Sequence, residues 1–542
     1  MIPGPRCASS DYLRYRLCCP LSARCYGKFN DLAGATEEID AFGTWRRLLE
    51  IYCGGRLFLR LRHIWGPWTR PRYVNLFLLN LFRAKPDGEQ YGNSCIANTQ
   101  TTVTSGTSED CLFVNVYIPY TTKATSKLPV MVYFHGGGFE GGNTQGFPPE
   151  NIIQGAASPL IFVTFEYRLG QFGFLGGSAL KENGVLNAGL LDQKAGLQWL
   201  QRYISKFGGD PRKVTIWGES AGAGATMFHL IGNGGKNGNL FRAAMGDSAS
   251  LSFLPEYNSP FIEGLYTQFL GNTNCTGLRD SATFACLRAL PASSIALAGS
   301  KVNANRTSAL YPFAPYTDGV FIQQRPVEAF RSGAFVRVPV LFGSNTDEGA
   351  NWSAGLADPD ANTSNAHANQ TTVYNFLTGQ FATLTMESFN TAVAKYYPLA
   401  AYNNSFSLQG QQMYGEMRYI CSALLITGAA RNFGLPGYQY HWDNPTIGSD
   451  HGAELNAFFD GTEVFDSADQ ALVVAMRQWF TSFAISGRAP VAADAITWER
   501  ATTSSGSPRI LLHPGAIAME SITEALTERC NFWHGLSSEI ST

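Results

Sequence analysis

From about residue 110 onward, short continuous apolar runs alternate with longer stretches in which apolar positions recur every three and four residues. The runs at 112–118, closed by Pro119, at 130–134 and at 160–167 predict strands buried on both faces. A helix is predicted over 190–207, where Leu197, Leu200, Ile204 and Phe207 fall on one face, and Gly208-Gly209 closes it. Another strand follows at 214–217, a helix-like stretch at 221–230, and later strands at 338–342 and 438–442. This alternation is the signature of an α/β fold, a large and mostly parallel sheet flanked by helices. Residues 255–330 and 350–435 are helical or loop-rich and read as insertions over the sheet, not as separate domains.

Length and composition change this picture in one place. A chain of 542 residues with 45% hydrophobic and 15% charged residues is globular, and its net charge of -2 offers no attraction to nucleic acid or anionic membrane. The average conceals a break. Residues 1–85 carry 14 Lys+Arg against 6 Asp+Glu, whereas the remainder carries 26 against 36. Five cysteines (Cys7, Cys18, Cys19, Cys25, Cys53) fall in that basic segment, and six follow it (Cys95, Cys111, Cys275, Cys286, Cys421, Cys530). The six later cysteines read as a disulfide framework and so as an oxidising compartment. Sequons at Asn274, Asn305, Asn351, Asn362, Asn369 and Asn403, mostly in polar sequence, point to the same secreted, glycosylated state. The amino terminus lacks the apolar core of a signal peptide, and the stretch 73–82 is too short for a membrane span and holds two asparagines. No transmembrane segment or lipid anchor is expected.

The chemistry begins at Gly218-Glu219-Ser220-Ala221-Gly222, between the strand at 214–217 and the helix at 221–230. A chain with 56 glycines yields about one such Gly-x-Ser-x-Gly by chance. The strand-before, helix-after setting is what makes it a candidate, because a sharp turn there lifts a serine hydroxyl above the sheet. Behind the strand at 130–134 stands His135-Gly136-Gly137-Gly138-Phe139, whose glycines leave backbone N–H groups free to face an oxyanion. Gly136, Gly138 and Gly141 also satisfy the dinucleotide-binding spacing, with Glu166 further on. That reading requires a helix at once, and the continuation 143–149 with its two prolines cannot start one. Of eight histidines, His451 alone lies in suggestive sequence, a loop shortly after the strand ending at Trp442. His135 suits scaffolding of the glycine run, and His441 lies within a strand pattern. A carboxylate between serine and histidine in chain order is supplied by Asp347 or Glu348, and the residue chemistry alone does not choose between them.

Taken in order, Ser108-Glu109-Asp110-Cys111-Leu112, the glycine run after His135, Tyr167-Arg168-Leu169-Gly170, Gly189-Leu190-Leu191-Asp192-Gln193, Phe207-Gly208-Gly209-Asp210-Pro211, the Ser220 elbow, 345–349 and His451-Gly452-Ala453-Glu454 resemble the type-B carboxylesterase/lipase family. That family has the α/β-hydrolase fold and includes cholinesterases and fungal secreted lipases. The resemblance runs from about residue 91 to 532 and implies a single α/β-hydrolase domain over 86–542. It implies Ser220 as nucleophile, His451 as base and Glu348 as acid, leaving Asp347 structural. Gly137, Gly138 and Ala221 match the oxyanion-hole positions, Ser248 a serine beside the acid, and Arg168 with Asp192 a buried ion pair. It further implies disulfides Cys95–Cys111, Cys275–Cys286 and Cys421–Cys530, and no cofactor or metal. The departure lies in residues 1–85, where Trp65-Gly66-Pro67-Trp68 is a remnant at best of the family's entry segment, so the usual partner of Glu109 is unassigned. Basic excess, cysteines and the missing signal peptide together suggest an incorrect gene model there, against a divergent extension.

The implied reaction is hydrolysis of a small-molecule or lipid ester. The loop 96–110 is mostly Thr, Ser, Asn and Gly, too poor in apolar area for the flap with which family lipases sense oil, and without the aromatic residue that cholinesterases place there. A general carboxylesterase is therefore expected, with a triacylglycerol lipase as the alternative. A non-catalytic relative, or a non-functional product of the aberrant amino terminus, is the reading of another class. No oligomeric state is implied.

Overall fold

The computed structural model describes residues 91–542 except 494–495 and 503–505, and before residue 91 only the backbone of three short strands. The basic segment, its five cysteines, residues 65–68 and the apolar stretch 73–82 otherwise lie outside the described residues. In chain order the strands are β1 (Glu37–Ile39), β2 (Trp45–Arg47), β3 (Arg56–Arg60), β4 (Phe113–Tyr117), β5 (Leu128–Phe134) and β6 (Ile161–Phe165). They continue as β7 (Gly209–Gly218), β8 (Ala243–Asp247), β9 (Val340–Asn345), β10 (Gly437–Trp442), β11 (Pro508–Leu512) and β12 (Ala518–Ser521). The first two form a separate antiparallel pair. The other ten make one sheet in the order β12-β11-β10-β9-β8-β7-β5-β6-β4-β3, parallel from β11 to β6 and antiparallel at both edges.

Why the central strands read as unbroken apolar runs is visible in β5. Val130, Val132 and Phe134 enter the core on one face, while Met131 and Tyr133 enter the core on the other. Successive side chains of a strand point to opposite faces, so a sheet covered on both sides needs no polar positions. One face is covered by helices Ala188–Tyr203 and Ala221–Gly235, through Leu190, Leu197, Leu200, Phe228 and Leu230. Helix Ser467–Ser486 covers the other, burying Leu472, Met476, Trp479, Phe480 and Phe483. Each fully buried side chain of this size contributes about 1.5–3 kcal/mol.

The predicted helix over 190–207 divides into an α-helix to Tyr203 and a 3-10 turn, Ile204–Phe207, ended by Gly208 at φ 82°. Strand β8 has no counterpart in the sequence pattern. Its residues, Ala243-Ala244-Met245-Gly246-Asp247, have low strand propensity, and all are buried. The Phe342 ring of β9 fills the space beside Gly246, where a Cβ would meet it at 2.2 Å. Insertion helices form a third core over the sheet, and Cys421–Cys530 fastens helix Cys421–Asn432 to helix Glu524–Gly535. Cys95–Cys111 and Cys275–Cys286 are also formed. Among the described residues no single helix is long and apolar enough to cross a membrane; one bent pair, Ser281–Ala289 with Ala292–Asn305 at 110°, passes by length and composition together.

Candidate active site

Ser220 stands where β7 turns into helix Ala221–Gly235, at φ 55° and ψ -119°. Such a conformation costs a non-glycine residue about 1–3 kcal/mol and persists only where the surroundings enforce it. They do so here. The Ser220 N–H donates to the Asp247 carbonyl at 2.9 Å, and its carbonyl accepts from Gly224 N–H at 2.8 Å. The flanking glycines are required by space: a Cβ on Gly222 would lie 1.9 Å from the Phe134 carbonyl oxygen, and one on Gly218 would lie 2.4 Å from Gly222. Ala221 occupies the first helical position, whose N–H has no intrahelical acceptor.

Strand β9 runs into the loop carrying the two candidate acids, and the geometry separates them. Asp347 is exposed, with its N–H donating to the Ser449 carbonyl at 2.8 Å. Glu348 is fully buried, and its Oε2 lies 2.6 Å from Nδ1 of His451. Its other oxygen accepts from the Asn345 N–H at 2.7 Å and from the Ser248 hydroxyl. Ser248 itself has φ 54° and is held by its N–H on the Gly343 carbonyl. His451 Nε2 sits 3.2 Å from Oε1 of Glu219, the residue preceding Ser220, and has no hydrogen-bonded partner among the described residues. The Tyr419 ring lies over the imidazole at 4.1 Å between centroids, and Trp352 lies at 5.3 Å with its indole N–H on the Glu348 carbonyl.

The glycine run after His135 forms the neighbouring wall. Gly137 and Gly138 have φ 104° and 64°, and a Cβ on Gly138 would collide with the Tyr311 ring at 2.1 Å. His135 is buried, stacks on Tyr167 at 4.3 Å, and is pushed down to about 4 by burial, so it is neutral at pH 7. Turns occupy the residues after this run, and the next helix begins only at Glu150. His441 pairs with Glu520 and with the Thr346 hydroxyl, and is remote in contacts from the serine. Arg168 and Asp192 form the buried ion pair, with two contacts of 2.6 Å. Glu109 is raised by burial, opposed by Arg168. Of the sequons, Asn274, Asn305, Asn351, Asn369 and Asn403 are exposed and Asn362 is half-buried. Asn369 also caps helix Gln370–Gln380 through a reciprocal capping box with Thr372.

Sequence reasoning missed the acids packed around this centre. Burial, reinforced by neighbouring carboxylates, raises Glu219 and Glu454 well above the usual range and Asp247 to about 8. Glu454 accepts from the Asn345 amide at 2.5 Å, and Asp247 from the Trp217 indole at 2.7 Å. Both Glu219 and Glu454 lie within quoted motifs, yet nothing in the one-dimensional pattern places them against each other.

A parallel central sheet crossed by helices on both faces, with a serine at a strained strand–helix elbow, is the α/β-hydrolase fold. The crystal structure of EstA from Aspergillus niger superposes with a TM-score of 0.75 and 26% identity, covering 92% of this chain and 97% of that one. The family model of the carboxylesterase family matches residues 81–533, and the chain belongs to that family. Lipase 1 of Geotrichum candidum is 38% identical over 256 residues, 45% of this chain and 45% of that protein, so this match spans less than half of the curated relative's length. Pyrethroid hydrolase Ces2e of Rattus norvegicus is 30% identical over 402 residues, 70% of this chain and 67% of that protein.

Proposed function

We propose that this protein hydrolyses carboxylic esters through an acyl-enzyme, with Ser220 as nucleophile, His451 as general base and then acid, and Glu348 as the group that orients His451. The observation carrying this reading is the 2.6 Å contact between His451 Nδ1 and a Glu348 carboxylate buried at the base of the site. A carboxylate so held fixes the imidazole tautomer that leaves Nε2 basic, and stabilises the imidazolium formed when the serine attacks. The N–H groups of Gly137, Gly138 and Ala221 then hold the oxyanion, each removal of such a donor costing about 3 kcal/mol in comparable sites. His451 returns the proton to the leaving alcohol, and water repeats the sequence to free the acid.

The substrate reading is a general carboxylesterase for soluble esters of short or medium acyl chains. The Cys95–Cys111 loop supports it: this segment contains turns and no helix, and is stapled by the disulfide and by Ser94 N–H to Gly106 O at 2.8 Å. It offers no amphipathic flap of the kind that opens at an oil surface. Disulfides and the sequons support secretion and N-glycosylation; the residue stretches match curated proteins that include a secreted lipase of Botryotinia fuckeliana. The test is hydrolysis of p-nitrophenyl esters of graded chain length by the purified full chain, with Ser220→Ala as control. Loss of activity in the variant, with the best substrates at short to medium length, is expected. Equal activity in the variant refutes the mechanism, and a sharp rise above substrate solubility favours a lipase.

A further inference from the structure

Arg418 is buried beside this centre and the proposed reaction makes no use of it. It sits in a π-helical turn, Glu416–Ile420, between helices Phe406–Gly415 and Cys421–Asn432. Insertions of this kind bulge a helix and occur frequently at functional sites. The turn is pinned against the acid loop: a Cβ on Gly415 would lie 2.7 Å from the Gly349 nitrogen, and one on Gly349 would lie 1.7 Å from the Gln411 carbonyl oxygen. The guanidinium is ringed by tyrosines, 5.4 Å from the Tyr311 ring, 5.7 Å from Tyr419 and 6.0 Å from Tyr414.

Two of these rings touch the reacting groups. Tyr419 lies over His451, and Tyr311 closes on Gly138 of the glycine run. The guanidinium is hydrogen-bonded to Tyr419. Among the described residues no carboxylate forms an ion pair with Arg418, and its Nε has no hydrogen-bond partner. The acid that acts on it through space, Glu140, is pushed up to about 8 by burial, and its two oxygens already accept from the Phe313 N–H at 2.6 Å and the Asn98 amide at 2.8 Å. Burying a cation without a counter-charge is costly, and aromatic faces repay only part of that cost.

We propose that Arg418 selects esters that carry a carboxylate of their own, the anion completing the guanidinium's hydrogen bonds while the ester carbonyl meets Ser220. This rests on the ester-hydrolase reading of the same site. A guanidinium fork matches a carboxylate, so half-esters of short dicarboxylic acids present the chemistry on the acyl side and O-acetylated hydroxy acids present it on the alcohol side.

The experiment compares kcat/KM for monoethyl glutarate and acetoxyacetate with their uncharged counterparts, ethyl pentanoate and ethyl acetate, in wild type, Arg418→Lys and Arg418→Met. The expected result is a charged-to-neutral preference of roughly tenfold to a hundredfold in wild type on one of the two arms, reduced in the lysine variant and absent in the methionine variant. The arm that shows it identifies the side. No preference in wild type, or an unchanged ratio in either folded variant, overturns the proposal. The wild-type ratio decides by itself where a variant does not fold. Hydrolysis of the neutral esters that depends on Ser220 but lacks this preference sinks the Arg418 assignment alone, whereas no Ser220-dependent hydrolysis sinks the underlying function.

Discussion

At the scale of single residues, the centre combines a strained serine with three neighbouring carboxyls, Glu219, Asp247 and Glu454, that burial raises above the usual carboxylate range. Glu348→Gln keeps the volume of the acid but loses its charge and offers an amide donor where His451 Nδ1–H must donate. A fall in kcat of about 10⁴ is expected from pre-steady-state or steady-state ester hydrolysis, with the fold retained by circular dichroism. Ser220→Ala is expected to lose a comparable or larger factor, and the double variant little more, because the proposed mechanism has the two residues act as one unit. Asp247 contributes to the pH dependence of stability. Its folded-state value of about 8 exceeds the 3.8 of a free carboxyl, so the native state binds the extra proton. Its contribution is fully present below pH 4 and is lost as pH rises through 8. Asp247→Asn, which keeps the acceptor for the Trp217 indole, is therefore expected to flatten the decline in unfolding free energy between those limits in denaturant titrations. A decline as steep as wild type would assign it to Glu219 and Glu454, which are shifted in the same direction.

Elements depend on end signals that are partly readable in one dimension. Asn369 accepts from Thr371 and Thr372 N–H at 2.8 and 3.2 Å and opens helix Gln370–Gln380. Asn369→Ala is expected to cost about 1 kcal/mol in equilibrium unfolding. Glycosylation uses the amide nitrogen and leaves that acceptor oxygen in place, so blocking only the sequon by Thr371→Ala is expected to cost less. Strand boundaries came within a few residues wherever the run was apolar, as at β5 and β10. Strand β8 was not legible because Ala and Gly signal nothing by themselves; the Phe342 ring and the neighbouring strands demand small residues there. The edge strands β11 and β12 were equally silent, being short and partly polar.

For the whole molecule, the insertions carry as much of the site as the sheet does. Tyr419 and Arg418 reach it from a turn directly before the half-cystine Cys421, whose partner is 109 residues away. Replacing Cys421 and Cys530 together by Ala is expected to lower stability by about 2–5 kcal/mol in denaturant titrations. The positions of catalytic interest that follow strands were legible in sequence, since a glycine-flanked serine, a glycine run and a histidine loop each sit beside an apolar run. The choice between Asp347 and Glu348 came from family resemblance, and the geometry gives it a physical form: one side chain points to water and the other is sealed under His451. What the sequence by itself determined is therefore the alternation that builds a doubly covered sheet and the local turns that lift functional groups from it, because both depend on neighbours along the chain. Only the tertiary structure decided which carboxyls are crowded together, and that a buried guanidinium stands in a ring of tyrosines, one of which lies over His451. Burial and charge are set by residues far apart in sequence, and no periodicity encodes them.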